Sequence, residues 1–329
     1  MPRSRRYIKA RAVYEIVFRA HSSLPFPCTD YMRLIIEGIL ARVQRDHKVV
    51  LHHYVLEGSH PHIIITAKDA RQCMRFYAQL KKQITDAIKR LLGLKRLKLW
   101  EDHASVIEIP TLDDLILKIS YSYLNPSNDD LSDSIDRYPG ISSWSAFLDA
   151  DSIDACVSSV HPWIRQPMIS QLPSRSVTPA QDRMITREMK SRAKCTHTLR
   201  IYPWLWMELF KDELPEGGLA EVKQLILDCI RAGEADNRKR RELTNKRVMG
   251  KERLRAQPLL KAHTPKKKER KILVQSRFRD IRKALIEEFK RIDALCRAVY
   301  ERWKQGDFSC SWPPGTFPPP LPPLANALQ

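Results

Sequence analysis

At 329 residues the chain exceeds one typical small domain, and 43% hydrophobic content with a net charge of +19 predicts two domains with real cores and a polyanionic partner, most simply nucleic acid. The charge is uneven: residues 1–150 hold 22 Lys and Arg against 17 Asp and Glu, which leaves +14 on the remainder. No apolar run is long enough to span a bilayer. The start MPRSRRYIKAR lacks the apolar core of a signal peptide, and the seven cysteines form no C-x-x-C pair, so secretion, zinc fingers and redox motifs give way to a reducing cytoplasm.

In chain order, RAVYEIVFRA (11–20) reads as a first strand. Pro25 and Pro27 break it, and Thr29 or Asp30 caps a helix to about Gln44 with Met32, Leu34, Ile35, Ile39, Leu40 and Val43 on its apolar side. KVVLHHYVLE (48–57) and PHIIITA (61–67) are strands joined through Gly58 and Ser59. Asp69 opens a long helix to about Leu92, stopped by Gly93. SVIEI (105–109) is a short strand, and Thr111 starts a helix ended by Pro126. The order β-α-β-β-α-β-α predicts an α+β, ferredoxin-like antiparallel sheet with helices on one face.

Beyond residue 150 the pattern changes to a mostly α-helical basic extension. SQLPSRSVTP (170–179) reads as a linker. A helix follows from Thr178 with Pro179 in its first position, then helices over Leu219–Arg231 and Arg277–Lys304, and a proline-rich tail over 313–329. The expected division is 1–150, 151–312 and 313–329.

Two constellations carry chemistry. His60 and His62, two apart on a strand, present both imidazoles to one face and make half of a metal site; two structural histidines would read the same way. Downstream, TLDDLILKISYSYLNP offers Tyr121 and Asn125 at i and i+4 on one helix face. Tyr123 is a rival nucleophile but lies about 200° round the helix and is assigned to the core. His52, His53 and His103 read as packing or surface groups. Lys81, Lys82, Lys89, Arg90, Lys95, Arg96 and Lys98 form a basic stretch between the two constellations, as consistent with phosphate contact as with a solvated face. Arg238, Lys239, Arg240 and Arg241, with Lys266, Lys267 and Lys268, are further candidates for holding DNA. Tyr202, Trp204, Trp206 and Phe210 read as core before base-stacking.

The stretches LHHYVLEGSHPHIII, LKLWEDHASVIEI, LILKISYSYLNPSNDDL and YPGISSWSAF resemble, in order and spacing over roughly residues 7–150, the single-tyrosine HUH transposases of simple insertion sequences, and in particular the REP-associated tyrosine transposases of bacteria. The resemblance implies His60, His62 and Asn125 as ligands of a divalent ion (Mg2+ or Mn2+) and Tyr121 as the nucleophile. It implies cleavage and rejoining of single-stranded or hairpin DNA through a 5′-phosphotyrosine, a homodimer in the bacterial cytoplasm at the nucleoid, and no nucleotide cofactor. The chain departs from the family in Pro61 between the histidines, in Glu57-Gly58-Ser59 where Met-Pro-Asn is usual, and in Asp102 and His103 where an Arg-Phe pair is usual. A catalytically impaired DNA-binding protein of the same fold is the rival reading. An RNA-binding ferredoxin-like module is a third, weakened by strands without an aromatic RNP signature.

Overall fold

A computed structural model describes residues 7–101, 104–165, 176–264 and 274–319. In chain order the first elements are β1 (Ala12–Val17), β2 (Ser23–Leu24), α1 (Asp30–His47), β3 (Val50–Leu56), β4 (Pro61–Ala67), α2 (Ala70–Leu91), β5 (Ser105–Glu108) and α3 (Leu112–Asn128). β6 (Ile141–Ser142) and α4 (Trp144–Asp149) follow. Local chemistry sets the helix starts. Thr29, Asp69 and Thr111 each accept the backbone N–H three residues on, of Met32, Gln72 and Asp114, an N-cap worth about 1 kcal/mol. Gly93, at φ +65, supplies the left-handed residue just past α2 that other side chains resist.

Five strands form one antiparallel sheet in the order β5-β1-β4-β3-β6. Strand alternation divides it into two faces. Tyr14, Ile16, Leu51, Tyr54, Ile63 and Ile65 point to the side covered by α1 and α2. Val13, Val55 and Ile64 point to the side where α3 lays Leu115, Ile119 and Tyr123. The antiparallel α+β sheet is as expected, α1 and α2 share one face, and α3 adds a layer on the other.

Two prolines have a distinct local setting. Pro61 is not in a bulge: it is the first residue of β4, paired with Leu56 on one side and without a β1 partner on the other, so the strand is locally an edge there. The β1 ladder reaches only to Val17 opposite His62, so the missing N–H falls beyond the end of β1, where proline is tolerated. The bulge is instead in β3, where the register slips between Leu51 and His53 and both His52 and His53 turn to the α3 side. Pro126 does not end α3. The helix runs on to Asn128, closed by the Asp129 N–H donating to the Asn125 carbonyl at 2.9 Å.

The later elements are β7 (Val157–Pro162), α5 (Pro179–Ser191), β8 (Thr196–Ile201), α6 (Gly218–Leu243), α7 (Gly250–Arg255), β9 (Lys261–Ala262) and α8 (Arg279–Lys304). α5 starts where expected, with Thr178 and Gln181 forming a reciprocal capping box. Its Asp182 carboxylate accepts the Asp30 and Tyr31 N–H groups at 2.8 and 3.1 Å, placing a negative charge at the start of α1. β7 and β8 make a two-stranded sheet over α1, with Leu199 and Ile201 in the first core. Trp204, Trp206, Val222, Ile226 and Ile230 join the second core. α6 extends past Arg231 and closes tightly on α3: a Cβ at Gly233 would stand 2.4 Å from Leu124 Cδ2. β9 pairs with β2. Lys9 ties α8 to β5, with its ammonium 3.1 Å from Glu108 and 2.7 Å from Glu288. Most of the 170–179 linker, Asp102, His103, the 266–268 lysines and the end of the proline tail lie outside the described residues.

Candidate active site

β4 and α3 bring His60, His62 and Tyr121 to one place. His62 is the second residue of β4 and faces α3 from the sheet. His60 stands one residue before the strand, and the two rings are 4.9 Å apart between centroids. Tyr121 comes from α3 with its ring 6.0 Å from that of His62. It is 49% exposed, whereas both histidines are buried. Asn125, one turn on, is buried, and its Nδ2 has no hydrogen-bond partner. The phenol is thus open to solvent while the imidazoles beside it are enclosed.

The ring orientations are set from behind. His62 Nδ1 lies 2.8 Å from Glu15 Oε1, and the other Glu15 oxygen is 3.0 Å from Lys118 Nζ. Burial alone would raise Glu15, but the hydrogen bonds and charges of His62 and Lys118 hold it below the ordinary carboxylate value. Glu15 holds the His62 ring through Nδ1 and leaves Nε2 as the nitrogen the carboxylate does not engage. That Nε2 is buried and unpartnered. Ser59 Oγ is 2.9 Å from His60 Nδ1, directing the other nitrogen of this ring inward. Burial, helped by the neighbouring His62, Arg19 and His263, pushes His60 well below its ordinary value, so it is neutral and competent to donate its lone pair.

Behind His60 stands Glu57. Its Oε2 is 3.9 Å from His60 Nε2. Burial, then the charge and hydrogen bond of Asp129, push this carboxyl well above its usual range, against the opposing charge of Arg19. Among the described residues no three His, Cys, Asp or Glu side chains are grouped as a metal site. The expected donors are two imidazoles and one amide, a set that contains only two residues of those types. His62 Nε2, buried and without a hydrogen-bond partner, fits a ligand position for such an ion, and a carboxylate behind the ring is the usual support for a metal-bound histidine.

Tyr123 is fully buried, with its hydroxyl 2.9 Å from His53 Nδ1 and 2.9 Å from Ser143 Oγ. It is a core group, as its position round the helix predicts. His52 is also internal, held by the Tyr202 carbonyl and by Thr66, and burial lowers it to about 4. Trp204 and Trp206 are fully buried and unavailable for base stacking.

The basic residues separate into groups. Lys82, Lys95, Arg96, Lys98, Arg238 and Lys239 are exposed. Lys81 donates to the Glu101 carbonyl, Lys89 pairs with Asp86, and Arg90 donates to the Arg165 carbonyl. Arg240 pairs with Asp130. Arg241 is buried, its fork divided between the Ser127 carbonyl, Asp130 and Asp133, so it clamps α6 to the end of α3. Glu15, Lys118 and Arg19 are not singled out by the sequence, and Glu57 only as a departure from the resembled family. The available signal was Glu15, a lone acid inside the apolar run AVYEIV.

No family model matches the chain, and no curated protein matches it. A solved structure, that of a REP-associated tyrosine transposase bound to a REP hairpin, is similar to it over 45% of this chain and 86% of that one, at 20% identity and a TM-score of 0.39.

Proposed function

We propose that this chain is a metal-dependent DNA strand transferase that cuts and rejoins single-stranded or hairpin DNA with Tyr121 as nucleophile. One observation carries the reading: His62 is buried with Nδ1 held by Glu15 and Nε2 without a partner, 4.9 Å from the His60 ring and 6.0 Å from that of the exposed Tyr121. An orphaned buried nitrogen of this kind costs about 1–3 kcal/mol, a cost that a bound ligand removes.

In this reading His60, His62 and Asn125 hold a divalent ion, Mg2+ or Mn2+, which when bound polarises the scissile phosphate and steadies its developing charge. Glu15 keeps His62 in the donating tautomer. Tyr121 Oη attacks phosphorus and loses its proton; the P–O3′ bond breaks, and the departing 3′ oxygen gains one. The product is a 5′-phosphotyrosyl enzyme and a free 3′-hydroxyl. The link preserves the phosphodiester energy, so attack by a 3′-hydroxyl rejoins a strand without a nucleotide cofactor. Tyr123 takes no part, because its hydroxyl is enclosed by His53 and Ser143. Residues 1–150 carry the chemistry, and exposed cations of the 151–312 extension, Arg238 and Lys239 first, hold phosphates non-specifically.

A second reading, a DNA binder that has lost strand transfer, draws on Pro61 between the histidines and on Asp102 and His103 after Trp100, where the chain departs from the family it resembles. Covalent capture separates the two. Protein and a Tyr121→Phe variant are incubated with Mn2+ and a library of labelled single-stranded hairpins, then run on a denaturing gel. A retarded protein–DNA band that needs both the metal and Tyr121 is the expected result. Tight binding with no such band across the library overturns the enzyme reading.

A further inference from the structure

Lys118 sits one turn before Tyr121 on α3 and is nearly buried, with its side chain 11% exposed. An isolated lysine on the inward side of an amphipathic helix carries a desolvation cost unless its donors are engaged. Here two acceptors meet it from different parts of the chain: Glu15 Oε2 at 3.0 Å from β1, and Gln275 Oε1 at 2.9 Å from the segment leading into α8. The same ammonium lies 5.6 Å from the centroid of the Tyr121 ring, within the range in which a cation is held by an aromatic face. Glu15, in turn, is the group bonded to His62 Nδ1. One ammonium thus stands between the tyrosine and the support of the nearer histidine.

The contact with Gln275 is not isolated. Two residues on, the Arg277 N–H donates to Asp114 Oδ1 at 2.8 Å, and the Arg277 guanidinium lies 3.6 Å from Asp113. Residues 275–277 therefore run along the first two turns of α3 and fasten to three of its side chains. Nothing in folding alone requires the strap to end on the lysine beside Tyr121.

We propose, building on the strand-transferase reading, that Lys118 is a positioning residue for Tyr121, locked by Glu15 on one side and by the 275–277 strap on the other. It fixes the ring beside the histidine pair and keeps a positive charge against its aromatic face. The C-terminal extension thereby becomes part of the catalytic apparatus as well as a DNA handle. Misplacing a reacting group by about 1 Å can cost on the order of a hundredfold in rate, so a distal contact of this kind has a measurable effect.

The test uses the full chain with Lys118→Met, Lys118→Arg and Gln275→Ala, and two readouts. The first is single-turnover cleavage of a labelled hairpin in Mn2+, with DNA affinity measured separately. Lys118→Met should slow the step at saturating DNA by about tenfold to a hundredfold with little change in affinity. Lys118→Arg, which keeps the charge and the reach to Glu15, should restore most of the rate, and Gln275→Ala should lose less than Lys118→Met. The second readout needs no activity: 3-fluorotyrosine placed at position 121 reports the ring by 19F NMR. A held ring gives one dominant resonance, which Lys118→Met should shift and average and Lys118→Arg should recover. Wild-type cleavage rates in Lys118→Met, or a 19F signal that the substitution leaves unchanged, overturn the proposal. If the wild-type protein cuts no hairpin, the strand-transferase reading fails and the 19F arm alone decides the role of Lys118.

Discussion

Replacing Glu15 with Gln removes one charge and changes almost nothing in shape, so its effect isolates what the carboxylate does. In the native protein the two Glu15 oxygens serve His62 Nδ1 at 2.8 Å and Lys118 Nζ at 3.0 Å in a site where Glu15 is 2% exposed. The amide oxygen of Gln can still accept from His62, but its NH2 then faces an ammonium, donor against donor. Breaking a fully buried ion pair costs about 3–5 kcal/mol. Lys118 keeps Gln275 as a second acceptor, which places the expected loss at the lower end, about 3 kcal/mol. The functional effect is separate. A carboxylate behind a metal-bound histidine fixes the tautomer and raises ligand basicity, and its removal costs about 10–100-fold in metal affinity, or roughly 1.4–2.7 kcal/mol. Urea unfolding measures the first quantity, and Mn2+ titration calorimetry at a temperature where the variant is folded measures the second. A folded Glu15→Gln protein that binds Mn2+ as tightly as the wild type would refute the argument that Glu15 readies His62 for an ion.

The same geometry makes further predictions. Tyr121→Phe should leave stability unchanged, because the side chain is half exposed, whereas Tyr123→Phe strips His53 and Ser143 of their shared partner and should cost about 1–3 kcal/mol by urea unfolding. His52 is lowered to about 4 by burial, so the unfolded chain binds a proton that the folded chain refuses. Its contribution is complete above about pH 6.5 and is lost as pH falls toward 4, about 3 kcal/mol in all; melting temperatures across that window should fall less steeply in His52→Gln, and an unaltered slope would contradict the assignment. Arg238→Ala and Lys239→Ala should each reduce the salt slope of DNA binding by about 1. Arg241→Ala should instead destabilise the fold, since Asp133 loses its cation and the Ser127 carbonyl its donor, while Asp130 keeps only Arg240.

How far the sequence discloses this site varies from residue to residue. The His60–His62 pair is legible because strand periodicity is rigid: positions two apart share a face in any sheet that uses the strand. The caps Thr29, Asp69 and Thr111 are equally local, and Tyr123 is assigned to the core by helical spacing alone. Glu15 and Lys118 are less visible. Their roles arise only when β1, β4 and α3 meet, with Glu15 and His62 47 positions apart, and no local rule links them. The turn of both His52 and His53 to one face depends on a bulge with no distinctive residue in it. α6 continues past Arg231 through a run of charged residues because Arg240 and Arg241 fasten it to the end of α3, a tertiary support that apolar periodicity does not register. The β7–β8 pair joins strands separated by a whole helix, and its exposed alternation is too weak to announce a sheet.

The most direct test of the central claim is the location of the covalent bond. Adduct formed with Mn2+ and a cleavable hairpin is digested with trypsin and nuclease, and the peptide spanning residues 119–137, which holds both tyrosines, is fragmented by mass spectrometry. The account predicts a nucleotide mass on Tyr121 and none on Tyr123. A nucleotide on any other residue, or an unmodified peptide from protein that binds the hairpin tightly, would contradict it.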